Sequence, residues 1–401
     1  MSTPIRCLLA LVALAAAAPV LRAQAPAPSL LMQARQAEAA YQFDLALDRL
    51  YALEIEQPRT PDALAGRLQL ARLLVLANDL PAAILQCQAL RDELPVTGGG
   101  APAASNERTR QQALDFATSL ARRLRIRNAG SAFYASPETF APRGLPQIDE
   151  PTGLVDAGDG SILLVDQGAD KLFRVTGETA AAIASAGIQD PNAAAPLGDG
   201  AIAIGTKNGL VSLPPGKTVP ATGTWGGKPH PVKRARAMAA NSKGDLFIVD
   251  REYDGLLRCA AGSASCAPWG PPGKLRTVKV GPSDFVVTLD DKQQVVRVLD
   301  DAGKSVTSLG PMFGATKLEK IVDVAIDTAY AVYLLDADLK RIEVGALRAQ
   351  SDGRISAEPI GAVAIPIEGD RAIKNPTALF VSSSGTIFVA GKSVPRLLRF
   401  R

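Results

Sequence analysis

The chain has 401 residues, enough for two or three domains, and 47 % apolar against 21 % charged residues is a balance that buries a sizeable core. Forty-four basic and 40 acidic side chains leave a formal charge of +4, too little to mark a nucleic-acid surface. A single histidine, His230, and four cysteines exclude histidine-cluster catalysis and most zinc enzymes, and 5 % aromatics leave few platforms for stacking sugars or bases.

Residues 1–25 have the layout of a secretory signal peptide: Arg6, an apolar run from Cys7 to Leu21, then Arg22 and the small residues Ala23 and Ala25. The run is too short to span a bilayer comfortably. Export to the periplasm or the medium, without a membrane span, is therefore expected. Cleavage would remove Arg6 and Arg22 and take the charge from +4 to +2.

Residues 26–130 read as a helical domain. Residues 29–58 and 66–95 align at an offset of 37: Ala34, Ala46 and Pro58 become Ala71, Ala83 and Pro95. Phe43, Leu50 and Leu53 become Leu80, Cys87 and Leu90. Breaks at Tyr41-Gln42-Phe43 and Asn78-Asp79-Leu80 divide each copy into two helices. The small residues let paired helices approach closely. Residues 96–105, VTGGGAPAAS, read as a linker. Asn106 to Arg127 then form a capping helix with Ala113, Phe116, Leu120 and Leu124 on one face. The cluster Arg122, Arg123, Arg125 and Arg127 reads as solvated charge at a helix C-terminus. The paired copies resemble tetratricopeptide (TPR) repeats, with three more residues than that family's usual 34 and without its early aromatic.

From residue 131 to 401 short alternating strands and Gly or Asp turns replace the helical pattern. The clearest copies are residues 151–175, 235–259 and 375–400; weaker ones are 197–213, 283–299 and 322–344. They align after the second strand at Asp166, Thr206, Asp250, Asp290, Asp336 and Gly391. The intervals of 40, 44, 40, 46 and 55 residues suit four-stranded blades, so six blades are expected. The last copy stops at its third strand, Leu397 to Phe400, and residues 131–136 are expected to pair with it and close the ring. The apolar strand, Asp, polar turn and Arg-bearing strand resemble NHL-repeat and related six-bladed propellers. The fold class is thus multidomain α and β, TPR-like helical hairpins followed by a six-bladed β-propeller.

Cys259 and Cys266 flank a small-residue loop and are expected to form a local disulfide after export; Cys87 sits on an apolar helix face. The repeated Asp residues are expected to bond turn amides rather than a metal. Gluconolactonase-like six-bladed propellers hold a divalent cation with Glu, Asn and Asp, a resemblance that would give Glu150, Asn192, Asn241 and Asp323 that role. Propeller lyases rely on several histidines, which His230 alone does not supply. The basic segment 226–236 reads as an exposed loop. With Trp225, Lys228, His230, Lys233, Arg234 and Arg236, it is the candidate contact for an acidic partner.

No catalytic constellation emerges and no cofactor is implied. The reading is an exported, non-enzymatic scaffold that binds a protein partner through its TPR-like and propeller surfaces; whether a small molecule also binds is left open by the sequence. The alternative is a cation-dependent hydrolase or lactonase working in the propeller funnel. A sugar-binding module is disfavoured by the two tryptophans, Trp225 and Trp269.

Overall fold

The computed structural model describes residues 28–94, 101–129, 137–183, 188–197, 200–366, 368–369, 372–373, 375–392, 394 and 396–401, with the side chains of 101–104, 128 and 129 left aside. The expected signal peptide therefore lies outside the described residues. Among the described residues five helices come first: α1 (Leu30–Ala39), α2 (Phe43–Glu56), α3 (Pro61–Leu76), α4 (Leu80–Glu93) and α5 (Ala101–Ala129).

The 37-residue offset is visible in the backbone itself. Helix α1 ends with Gln42 N–H on Ala37 O and Tyr41 N–H on Glu38 O; α3 ends with Asp79 N–H on Leu74 O and Asn78 N–H on Val75 O. Each pair is a helix-terminating motif built around one left-handed residue, Tyr41 (φ 59°) and Asn78 (φ 66°). Asn tolerates that conformation readily, whereas Tyr is held there by its surroundings. Side-chain caps start the helices: Ser29 Oγ accepts from Met32 N, Thr60 Oγ1 from Ala63 N and Asp79 Oδ1 from Ala82 N. Ala34, Ala46, Leu50 and Leu53 are buried, as are their counterparts Ala71, Ala83, Cys87 and Leu90. Gly66 marks the closest approach, since a Cβ there would stand 3.1 Å from Leu53 and 3.2 Å from Leu50.

The linker expected at 96–105 is shorter than that, because α5 begins at Ala101. Three alanines favour helix, and Pro102 falls in the first turn, where its missing N–H costs nothing.

The remaining described chain is a six-bladed propeller. Blade I comprises Pro151–Asp156, Ile162–Asp166, Lys171–Thr176 and Thr179–Ala182. Blade II has three strands, Ala193–Leu197, Ala201–Thr206 and Gly209–Leu213. Blade III comprises Ala235–Ala240, Leu246–Asp250, Leu256–Cys259 and Ser265–Trp269; blade IV, Leu275–Val280, Val286–Asp290, Val295–Leu299 and Ser305–Leu309. Blade V comprises Ile321–Ile326, Ala331–Asp336, Arg341–Ala349 and Ile355–Ala364. Blade VI comprises Pro376–Val381, Ile387–Gly391 and Leu397–Phe400, with Glu138–Phe140 as its outer strand. The six second strands end at the six residues aligned from sequence. In all six blades every residue of that strand is buried, as between two packed sheets.

Two expectations change. Residues 131–136 lie outside the described residues, and the strand that closes the ring is Glu138–Phe140, paired antiparallel with Leu397–Arg399. The basic segment is not an irregular loop either. Thr222–Trp225 and Lys228–Pro231 form a hairpin that adds to blade III through parallel pairing of Ser265 and Cys266 with Thr222 and Gly223. Gly226 and Gly227 turn it with φ of 59° and 73°, the two-residue geometry that glycine permits. Cys259 and Cys266 are disulfide-bonded across the third and fourth strands of blade III.

Helices α1, α3 and α5 face the propeller. Glu38 of α1 accepts from Ser283 Oγ, and Arg348 of blade V reaches Val75 O at the end of α3. On α5, Arg122 donates to Thr386 Oγ1 (2.8 Å) and Arg123 to Ala329 O (2.6 Å). Ile126 packs in the same cluster as the core of blades V and VI. Two of the four C-terminal arginines are thus anchors rather than solvated charge, and Arg123 is 1 % exposed. The long third and fourth strands of blade V, nine and ten residues, explain the 55-residue interval and supply this platform.

Candidate functional site: the propeller funnel

Innermost strands start on the face where second strands end, so that face is opposite the one carrying the helices. There each aligned Asp is a local clasp. Asp166 accepts from the backbone of Asp149, Glu150 and Ala169; Asp336 accepts from Glu319, Lys320, Asp338 and Leu339. Asp250 accepts from Lys233 and Glu252, and Asp290 from Lys292 and Gln293. Thr206 does the same with its hydroxyl, accepting from Asn208 N. The clasp ties the turn after the second strand and, at Asp166, Asp250 and Asp336, also the chain entering the innermost strand. Asp166→Ala is therefore expected to lower stability by about 2 kcal/mol, read by chemical denaturation, because three backbone donors lose their acceptor.

These clasps define the phase of the central funnel. Fourteen residues before the aligned positions stand Thr152, Asn192, Arg236, Arg276, Val322 and Thr377, and all six line one cavity of about 220 Å³. In five blades a β-bulge falls at this residue, between Pro151/Gly153, Ala235/Ala237, Leu275/Thr277, Ile321/Asp323 and Pro376/Ala378. A bulge breaks the alternation and re-aims one side chain, here into the funnel. Gln167, Arg251 and Lys392, each next to an aligned position, form the rim.

The lining is cationic, with Arg236, Arg251, Arg276, Lys279 and Lys392 against Glu150 and Asp323. Arg236 and Arg276 come from adjacent blades and share one carboxylate, Asp291, at 3.1 and 3.2 Å. Burial lowers the affinity of Arg236 for its proton, and Arg276 and Arg251 add to this while Asp291 opposes it. Lys279 reaches across the funnel to Leu154 O (3.3 Å), with Asp323 at 3.7 Å. Among the described residues, two polar atoms in the wall have no partner, Thr152 Oγ1 and Asn192 Oδ1.

Of the four residues suggested for a cation, Glu150, Asn192 and Asp323 do meet in this cavity. Asn241 does not: it caps the opposite end of blade III, accepting from Lys243 and Asp245. Glu150 is paired with Lys392, and Asp323 is consumed by Thr277 Oγ1, Val324 N and Leu379 N. Among the described residues no three His, Cys, Asp or Glu side chains group as a metal site. A donor set held by its own cations and amides does not fit a divalent ion.

The basic segment is split by the fold. Arg236 is in the funnel. Trp225 and His230 stack face to face in the hairpin, with ring centroids 4.2 Å apart, and Tyr253 lies 5.3 Å from Trp225. Lys228 lies on the exposed edge of that hairpin, Lys233 is tied by its backbone to Asp250, and Arg234 is exposed at φ 54°. Sequence reasoning missed Arg251, Arg276, Lys279 and Lys392. For Arg251, Arg276 and Lys392 the signal was available in the register, fourteen residues before or one after an aligned position; Lys279, eleven before Asp290, follows neither spacing.

No protein-family model matches this chain, and no curated protein matches it. Among solved structures, a streptogramin B lyase aligns with 66 % of this chain and 97 % of its own at 10 % identity and TM-score 0.43. XC5397 of Xanthomonas campestris, described as a gluconolactonase, aligns with 67 % and 91 % at 7 % identity and TM-score 0.44. The WD40 β-propeller domain of Doa1 aligns with 67 % and 97 % at 10 % identity and TM-score 0.41. Likeness at this level bears on neither ligand nor reaction.

Proposed function

We propose that this is an exported, non-enzymatic binding protein that recognises its partner with the funnel face of an NHL-like propeller, while the TPR-like helices brace the opposite face. The observation that carries this is the burial of the inner helix face. Helices α1 and α5 commit polar side chains to blades IV, V and VI through Glu38, Ser119, Arg122 and Arg123, and α3 offers its Val75 carbonyl to Arg348 of blade V. A helical array bound in this way serves as a buttress rather than as a second groove. The funnel mouth, by contrast, presents five cations, Arg236, Arg251, Arg276, Lys279 and Lys392, against the three carboxylates Glu150, Asp291 and Asp323, and so keeps an excess of positive charge. The Trp225–His230 hairpin flanks blade III as a secondary contact. Its outer strand carries Pro229 and Pro231, which block strand addition at that edge.

The cation-dependent hydrolase gains no support from this geometry, because its carboxylates are already paired. The test is site-specific photo-crosslinking in extracts of the cell envelope, with the crosslinker at Arg251 on the funnel rim or at Ile55 on the outer face of α2. A discrete adduct from position 251 alone is expected. Adducts from position 55 alone, or from neither, would overturn the assignment.

A further inference from the structure

The ring of six funnel residues is chemically polarised. Blades III and IV contribute two guanidinium groups that share one carboxylate, and Arg251 above them has no ion pair among the described residues. Blades I and II contribute the opposite need. Asn192 is 4 % exposed, and its amide nitrogen is spent on Asp190 O while its oxygen accepts nothing. Thr152 Oγ1, at the same register, is unpaired as well. A buried acceptor without a donor is costly and calls for a partner from outside the chain. Adjacent guanidinium groups are suited to a planar oxyanion, and a cavity of about 220 Å³ admits a group of a few carbon atoms rather than a drug-sized ligand.

We infer that the funnel binds a small carboxylate that also carries a hydrogen-bond donor, as in a hydroxyacid or the C-terminus of a peptide, with the oxyanion on Arg236 and Arg276 and the donor shared by the unpaired oxygens of Asn192 and Thr152. This rests on the funnel being the recognition surface and goes further by naming the chemistry recognised.

The two sources differ in size and in the donor they offer, so calorimetry on the full chain separates them. The probes are succinate, malate, and one tetrapeptide with a free or an amidated C-terminus. Malate is expected to bind about ten-fold tighter than succinate, which has the same charge but lacks the hydroxyl. A peptide source instead predicts that the free-terminus peptide binds and its amide does not. Arg276→Gln is expected to weaken whichever probe binds by about ten-fold, with Asp291 still held by Arg236. Thr152→Val removes a hydroxyl that bonds nothing, so its melting temperature should match that of the parent protein while affinity falls. Binding should also weaken as salt rises.

No saturable binding of any probe by protein that melts normally would overturn the inference, as would affinity unchanged in Arg276→Gln. Succinate equalling malate, with the two peptides also equal, would remove the donor half of it. Failure here is distinguishable from failure of the binding role. If crosslinking from position 251 persists while every anion fails, the surface stands and the ligand chemistry falls. If malate binds but no adduct forms, the reverse holds.

Discussion

Phe140→Ala is expected to destabilise the protein by about 3–5 kcal/mol, the usual cost of emptying a buried aromatic site. Phe140 is 3 % exposed, meets Phe388 edge-on at 5.7 Å and carries the Arg399 guanidinium 4.3 Å above its ring. It sits in a three-residue strand whose register, Glu138 with Arg399 and Phe140 with Leu397, joins parts of the chain more than 250 residues apart. Without this strand the last blade keeps three strands and an open edge, and neighbouring blades lose a rigid wall. Chemical denaturation provides the measurement. A lower midpoint with an unchanged slope means the ring stays closed around a cavity, whereas a changed slope means blade VI has detached. The companion variant Glu138→Gln weakens only the half-exposed pairings with Arg399 and Arg401 and should cost under about 1 kcal/mol. Parent-like unfolding of Phe140→Ala would show that closure does not depend on this strand.

The closing strand also shows where sequence reading stops. That some segment before residue 151 must pair with Leu397–Phe400 follows from counting strands. Which segment does so depends on register, since both 131–136 and 138–140 are short, alternating and apolar enough. The repeat phase itself was legible because it has a local cause: the aligned Asp residues satisfy amides two or three positions away, so side chain and turn occur together. The helical offset was legible for the same reason, with identical terminating bonds at Gln42 and Asp79. The hairpin at Thr222–Pro231 was obscured by its charge, although two glycines between short runs are a turn signal. The funnel lies further out of reach. Arg236, Arg276 and Asn192 belong to three blades, and only the bulge beside Arg236 and Arg276 reveals that such a residue points inward. Once the phase is fixed, the ring can be read from the sequence without further geometry.

The arginines of α5 illustrate a different limit, since a run of like charges looks the same whether solvated or docked. Arg123 is docked in the same region as Asp327, a carboxylate only 2 % exposed in the blade V turn between first and second strands. Asp327 accepts from Ala329 N, Ala331 N, Tyr333 Oη and Ser119 Oγ, at 2.8 to 3.0 Å. Asp327→Ala should cost about 3–5 kcal/mol, because four donors lose their acceptor and the buried Arg123 loses the carboxylate that offsets part of its burial. Burial already pushes Arg123 down to about 10, with Arg348 adding to the effect and Asp327 opposing it. Asp327→Asn retains an acceptor and should cost less. It also exposes a pH signature.

Burial raises the Asp327 carboxyl above its ordinary 3.8, so the native state holds this proton more tightly than the unfolded chain. The contribution is therefore most favourable below the ordinary value. It declines as pH rises through the raised one and levels off above it. Measured as the difference in unfolding free energy between the parent protein and Asp327→Asn, the parent should lose ground over that window. Amide exchange in α5 should rise in Asp327→Ala if the interface loosens before the propeller unfolds. A flat difference across pH, or an Asp327→Ala protein that melts like the parent, would mean the helices are held by apolar packing alone. The polar network would then be a consequence of docking and not one of its causes.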